Sequence, residues 1–477
     1  MQRVARAVAA LAAAIAAAII PMTPSHAEPG AVTSTDVTFT GSGGVVLHGT
    51  VLTPTGATGR HPAIVMLEGA GNRGREYLRP GAEAYARQGV VTLIYDKRKV
   101  GYSLLHRDYA VLAGDALAGL QLLRARPDVD PARAGLWALS EGAFVAPIAA
   151  TRSNDVKFLI TVGAVGNTPA AQTAWEYDEY LRHAGVSAAV SRALRKDILP
   201  AAIDAGLFPE HDFEPAPLWR QVRQPVLAEW GELDRDSVPA ESSRIIGDAL
   251  KAGGNTRYQV RFLKGVNHNL HITAADGFDR LPTLPDNYAQ FETAWISSSP
   301  DTDGPTSSET AAGNSSSSTD GSVTSAEATA LASDSSAEAI ERAPWYHRSW
   351  PVVVATLLLL AGFLVAPVRL RGGRTRAVWL ARWLALVGPA VIVGMNLYFV
   401  FLLATAGKVT GPVVFGRPLP WLALELLTVG TAVVAVAAGI SWWRSGNGYR
   451  NRVRLGLSIG AGVLLLPWVA SWGLLVP

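Results

Sequence analysis

Four stretches near the carboxyl end narrow the folds open to this chain more than any other feature. Residues 350–368, 383–407, 418–443 and 455–476 are each about 20 residues or longer and nearly free of charge, enough to cross a bilayer core. Water is absent there, so a backbone must satisfy its own hydrogen bonds, and such stretches cross as helices. The region 350–477 therefore reads as an all-α transmembrane domain of four helices, with the lipid bilayer as its partner. Its basic residues give an orientation. Arg369, Arg371, Arg374, Arg376 and Arg382 fall in the first connection and Arg444, Arg450, Arg452 and Arg454 in the third, whereas the second has only Lys408 and Arg417. Positive charge stays on the cytoplasmic side, so the residues before 350 are expected outside. Glu425 and Asn396 are the strongly polar residues within the apolar runs. Glu425 lies near the expected outer edge, where snorkelling or a hydrogen bond between helices is a better expectation than transport.

The amino end agrees with that orientation. Arg3 and Arg6 precede an apolar run over 8–20, Pro21 breaks it, and Ser25-His26-Ala27 forms a small-residue cleavage site. Residues 1–27 are expected to be a signal peptide, an uncleaved anchor being the alternative, and the segment after residue 27 is expected to be translocated. Residues 297–342 are mainly Ser, Thr, Ala, Gly and Asp and cannot bury enough surface to offset their ordering entropy, so they read as a disordered linker. A formal net charge of +3 gives no reason to expect nucleic acid as a partner. The chain has no cysteine, which excludes disulfides, thiolate metal sites and a cysteine nucleophile.

Between these segments, residues 36–296 alternate two patterns. A hairpin is expected over 38–53, turning at Gly41-Ser42-Gly43-Gly44, and short apolar runs occur after it at 63–67, 90–95, 134–139, 158–162 and 226–230. Such runs suit buried strands of a parallel sheet. Tyr109, Leu112, Ala113, Ala116, Leu117, Leu120 and Leu123 recur at helical spacing, and Pro127 and Pro131 are expected to end that helix. The alternation implies an open, mostly parallel α/β sheet with helices on both faces. Residues 167–222 have helical pattern but no strand, so they read as an insertion able to form a lid, with Trp175, Tyr177, Tyr180, Leu181, Leu207, Phe208 and Trp219 as its apolar wall.

Chemistry concentrates at three places. In 133–147, RAGLWALSEGAFVAP, a strand runs into Ala138-Leu139-Ser140-Glu141-Gly142 and a helix pattern follows, the context of a nucleophile elbow. A serine hydroxyl needs a base, and the base an orienting carboxylate. Asp234 follows the run at 226–230, with Glu232 and Asp236 close by. His268 follows the alternating run at 258–262, with His271 close by. Both positions are expected at strand carboxyl ends, where open α/β sheets place their sites. Gly41-Ser42-Gly43-Gly44 lacks the following Lys-Ser/Thr and helix of a phosphate loop, and no metal or cofactor site is evident.

Four stretches, LIYDKRKVGYS at 93–103, DPARAGLWALSEGA at 130–143, WGELD at 230–234 and GVNH at 265–268, succeed one another in an order that resembles the α/β-hydrolase superfamily, near its esterase, acyl-transferase and prolyl-oligopeptidase-like branches. The resemblance covers most of 36–296 and implies an α/β-hydrolase fold with Ser140 as nucleophile, His268 as base and Asp234 as its orienter. It favours Asp234 over Asp236 and Glu232, and His268 over His271. It also implies an oxyanion hole from the backbone amides of Glu141 and Ala70, the latter in the loop Glu68-Gly69-Ala70-Gly71. Ala138, Glu68 and Lys99 depart from the usual Gly, His and Gly. Carboxylates at 68 and 141 would oppose a developing oxyanion if they faced it. The expected function is a membrane-anchored extracytoplasmic serine hydrolase acting on a small-molecule, lipid or peptide ester, thioester or amide. Two alternatives stay open: a non-catalytic envelope binding or sensor protein on the same scaffold, and a transport or lipid-handling protein with an accessory hydrolase domain.

Overall fold

The computed structural model describes residues 30–56, 58–298, 322–323, 336–365, 376–444 and 449–475. The expected signal peptide and most of the linker lie outside the described residues.

The apolar runs become strands: β1 Val32–Thr40, β2 Val46–Pro54, β3 His61–Leu67, β4 Val91–Tyr95, β5 Val129–Leu139, β6 Leu159–Val162, β7 Val226–Gly231 and β8 Tyr258–Leu263. They form one sheet in the order β1-β2-β4-β3-β5-β6-β7-β8, with the two residues Ser322–Val323 paired at the β8 edge. β2 runs antiparallel to both of its neighbours, and from β4 through β8 every pair is parallel. Every residue of β4, β6 and β7 is buried. Burial on both faces is why these strands read as mainly apolar runs without alternation, interrupted only by Thr92, Thr161 and Glu229. One expectation changes. Pro131 lies within β5, because the strand starts at Val129, opposite His61, and slips register before Ala134 meets Ala63. A proline is tolerated at such an irregularity, where no ladder bond is lost.

Helices cover both faces. α1 Arg79–Arg87 and α9 Gln290–Ser298 contribute to one apolar core through Ala82, Tyr85 and Ile296. α2 Tyr109–Arg124, α3 Gly142–Arg152 and α8 Pro239–Ala252 build the other through Leu120, Phe144 and Leu250. The strand order, the single antiparallel crossing at β2 and the two helical layers are those of the α/β-hydrolase fold. The insertion forms α4 Pro169–His183, α5 Ala188–Ala193, a π-helical turn Leu194–Ile198, α6 Leu199–Asp204 and α7 Ala216–Trp219. Only part of it can wall a site at the strand ends. Trp219 is completely buried in the sheet's own core, and Leu207 is exposed. Tyr177 and Leu181 pack in the other direction.

What they meet is the carboxyl-terminal region: α10 Ser349–Leu364, α11 Arg376–Ala404, α12 Leu419–Trp443 and α13 Tyr449–Ser471. α11, α12 and residues 452–471 of α13 are long and apolar enough to cross a membrane. α10 has 16 residues, and the rest of its apolar run lies outside the described residues. Side chains such as Trp379, Leu386 and Val436 point outward from the bundle, as lipid-facing positions do. Glu425 finds its partners within its own helix and the preceding connection: Trp421 donates to it at 2.9 Å and Arg417 lies 2.8 Å away. Asn396 donates to the Ile392 carbonyl of its own helix.

The two parts meet at one end of the bundle. Tyr177, Leu181, Val190, Leu194 and Ile198 share an apolar cluster with Leu402, Trp472 and Leu474. Ser187 N–H donates to the Gly416 carbonyl at 2.7 Å, Tyr177 Oη to the Leu403 carbonyl at 3.2 Å, and Ser349 Oγ to Asp204 at 2.7 Å. Arg376, Arg444 and Arg452 belong to the opposite helix ends. Residues at the end of the expected linker are docked: Ala337 N–H donates to Glu241 and Glu338 pairs with Arg195.

Candidate active site

Ser140 occupies the turn between β5 and α3 with φ at 52°. A left-handed conformation at a side-chain-bearing residue costs about 1–3 kcal/mol and persists only where its surroundings impose it. Here Ser140 N–H donates to the Val162 carbonyl at 2.9 Å, and the Ser140 carbonyl accepts from Ala143 N–H at 2.8 Å. Gly142 must lack a side chain, since a Cβ there would lie 2.8 Å from the Leu67 carbonyl oxygen. Ala138 is fully buried, opposite Leu67 on one side and Thr161 on the other, so a methyl group fits at this position.

Asp234 and His268 follow β7 and β8, at the same edge of the sheet as Ser140. His268 Nδ1 lies 2.8 Å from Asp234 Oδ2, and both side chains are almost wholly buried. Asp234 is fixed in turn: Oδ1 accepts from the Asp236 and Ser237 amides at 2.9 Å each, and Oδ2 from Ser237 Oγ at 2.6 Å. Burial disfavours imidazolium at His268, but the charge and hydrogen bond of Asp234, with the charge of Asp236, outweigh it and raise its pKa. Gly163 follows β6 with φ at 57°, and a Cβ there would sit 2.4 Å from His268 Cε1. The imidazole occupies the space a side chain would take. Of the other candidates, Glu232 accepts from Gly265 N–H, His271 faces the Leu281 carbonyl, and Asp236 turns toward Tyr180, Arg280 and Lys408. Among the described residues no hydrogen bond joins Ser140 to His268, a contact that many unliganded sites close only with substrate.

The backbone amides of Glu141 and Ala70 have no acceptor among the described residues. Gly69, just before Ala70, lies against Ser140, a Cβ there being 3.2 Å from the serine Cβ. The positive end of α3 begins at the same point. The two carboxylates that threatened this position are accounted for separately. Glu141 is buried, with Lys97 Nζ at 2.9 Å, Arg107 Nη1 at 2.7 Å and Tyr102 Oη donating at 2.6 Å. Burial raises its pKa, but those two cations and the tyrosine overcome this and hold it below the usual carboxylate range. Its charge is thus matched within the protein. Glu68 Oε1 accepts from Arg73 N–H at 2.8 Å, and burial raises the Glu68 pKa despite Lys97 and Arg73, favouring the neutral acid. Lys99 is exposed and enters none of these contacts.

Lys97, Tyr102, Arg107, Ser237 and Gly163 carry parts that motif reading left unassigned. Lys97 also donates to the Gly69 carbonyl, and Tyr102 Oη accepts from Gly71 N–H at 3.0 Å, so one network fixes the loop before the serine. The signal available was a run of charges, Asp96-Lys97-Arg98, directly after the fully buried β4. Charges so close to a buried strand need partners.

No family model matches the chain, and no curated protein matches it. Solved structures similar to part of it include the DcsB complex with its substrate analogue, at 19% identity over 56% of this chain and 98% of that one, TM-score 0.40. The dienelactone hydrolase-like promiscuous phosphotriesterase P91 from metagenomic libraries is 15% identical over 56% of this chain and 98% of its own, TM-score 0.37. The acylaminoacyl peptidase of Pyrococcus horikoshii is 19% identical over 51% of this chain and 39% of its own, TM-score 0.38.

Proposed function

We propose that this chain is a membrane-anchored serine hydrolase acting on an ester, thioester or amide at the outer face of a cell membrane. The observation that carries the reading is the strained Ser140 together with a buried Asp234–His268 pair, all at carboxyl ends of the sheet. Strain at a non-glycine residue and a buried, oriented imidazole are each uncommon; together they fit activation of a serine.

In this mechanism His268 Nε2 takes the Ser140 Oγ proton as Oγ bonds to the substrate carbonyl carbon. The carbonyl oxygen becomes an oxyanion, accepted by the free amides of Glu141 and Ala70. Collapse breaks the bond to the leaving group, which departs with the proton from His268. Water then attacks the acyl-enzyme, gives its proton to His268, and Ser140 recovers it as the acid is released. Asp234, fixed by Ser237 and two backbone amides, keeps Nδ1 protonated and stabilises the transient imidazolium. The matched charge of Glu141 supports this assignment, because the residue donating to the oxyanion brings no unbalanced negative charge with it. The outward orientation is supported by the signal-like amino end and by docking of the hydrolase region on the helix ends opposite Arg376, Arg444 and Arg452.

The test uses the full chain in native membranes with a fluorophosphonate probe. Labelling of wild type that disappears in Ser140→Ala supports the nucleophile; equal labelling of both, or none in wild type, removes it. For orientation, protease added outside intact spheroplasts should cut between 299 and 335, and full protection would reverse the topology.

A further inference from the structure

The connection between α11 and α12 does more than join two membrane helices. Lys408 projects from it into the hydrolase region, with Nζ 2.7 Å from Glu176 of α4 and 3.2 Å from Asp236. The ammonium also lies over the Tyr180 ring, 4.6 Å from its centre, a cation–π distance. Gly407 packs beside Tyr177, the only kind of residue that fits easily there with φ at 67°. Asp236 is buried and is one of the residues whose backbone amide fixes Asp234. Its carboxylate also accepts from Tyr180 Oη at 2.8 Å and pairs with Arg280, while its carbonyl accepts from Gln172. A chain of direct contacts therefore runs from the membrane connection through Asp236 to Asp234 and His268.

We propose that Lys408 is a positioning residue that holds α4 and the acid loop in place around Asp234 and His268, so that the membrane helices and the hydrolytic site act as one unit. This rests on the catalytic reading given above. Without Lys408, Glu176 and Asp236 would share a site with Arg280 as the remaining cation in contact with it. Two carboxylates left to share one counter-charge repel more strongly, which loosens α4 from the acid loop. The electrostatics point the same way. Burial opposes ionisation of Asp236, yet His268, Lys408, Arg280 and the Tyr180 hydroxyl hold its pKa well below normal. The groups facing His268 are Asp234 and Asp236, which favour its charged form, and Arg280, which opposes it. Loss of the Lys408 charge leaves Asp236 less compensated and favours imidazolium, so the neutral base becomes scarcer at a given pH. Glu176, whose pKa burial already raises, can take up a proton and absorb part of the change.

The experiment compares wild type, Lys408→Met and Lys408→Arg as full chains in lipid nanodiscs, with p-nitrophenyl butyrate as probe. Lys408→Met should move the acid limb of kcat/KM upward by about half to one pH unit, a loss of about three- to tenfold below the limb that is recovered at alkaline pH. Lys408→Arg should bring the profile back toward wild type. A uniform loss with an unmoved limb, or no change, overturns the proposal. Amide exchange needs no turnover: residues 172–180 and 232–238 should exchange faster in Lys408→Met than in wild type and Lys408→Arg, and unchanged exchange there also overturns it. Failure of the catalytic reading shows separately, as wild-type labelling or turnover that Ser140→Ala does not remove.

Discussion

Removing Lys97 tests whether the charge balance around the oxyanion position is a working part of the site. Lys97 and Glu141 side chains are 7% and 3% exposed, so water does little to screen their 2.9 Å contact. Breaking a buried pair by deleting one partner costs about 3–5 kcal/mol, because the other charge stays buried. Glu141 keeps Arg107 and Tyr102 in Lys97→Met, which reduces the expected loss to about 2–3 kcal/mol. In a unit of this size about 1 kcal/mol corresponds to roughly 2–4 °C, so the hydrolase transition should fall by about 5–10 °C. The Gly69 carbonyl and Tyr102 hydroxyl lose a donor as well, and the loop before Ser140 loosens. Fluorophosphonate labelling should slow by about tenfold, since a less compensated carboxylate sits on the residue proposed to donate to the oxyanion. Scanning fluorimetry of Lys97→Met, Glu141→Gln and the double variant gives the cycle. The double variant should be less destabilised than the sum of the two, by about 1–3 kcal/mol. Additive effects, or a Lys97→Met protein melting within about 1 °C of wild type, would show that the pair does not have the coupling its burial implies.

Gly163→Ala should keep the fold and lower turnover by about 100-fold, since its methyl group would displace the His268 ring from one edge; crystallography or histidine NMR, with kcat/KM, checks this. Because the His268 pKa is raised, the acid limb of kcat/KM should lie above 6.5 when measured from about pH 5 to about pH 9. The same shift stabilises the folded state below the unfolded pKa and is lost as pH rises through the folded one, so this residue's share of stability should be greatest where activity is least. A limb at or below 6.5 would contradict both statements. Arg98→Met should cost about 3 kcal/mol in chemical or thermal melts, because it strands Asp115, which Arg98 grips at 2.6 and 2.7 Å; Arg98→Lys should recover only part of it.

The features legible in the sequence and those hidden from it divide along contact range. The strands were readable because a strand buried on both faces is mainly apolar along its length, and β4, β6 and β7 have that pattern apart from Thr92, Thr161 and Glu229. Ser140 stood out because it follows β5 directly, and Asp234 and His268 because they lie three and five residues beyond the ends of β7 and β8. The start of β5 was misplaced by a proline, since a register slip is a property of two strands and not of one segment. Glu141 looked like a hazard for the same reason. Its partners Lys97 and Arg107 are 44 and 34 residues away, and no local pattern predicts that pairing. Lys408 lies 172 residues from Asp236, and read locally it was only one of two charges in a connection. Tyr177 and Leu181 show the limit most plainly, because periodicity tells that a helix face is apolar but not which partner covers it.

The face those residues share with the carboxyl-terminal helices has a practical side. Tyr177, Leu181, Val190, Leu194 and Ile198 are buried because Leu402, Trp472 and their neighbours lie on them. A fragment ending at the linker would turn that whole face to water, and contiguous apolar patches of this kind drive association. Such a fragment should aggregate or need detergent although Ser140, Asp234 and His268 are intact. Inactivity of a water-soluble truncation would then report on a missing partner surface, and the proposed activity is better sought in extracts that keep the helices.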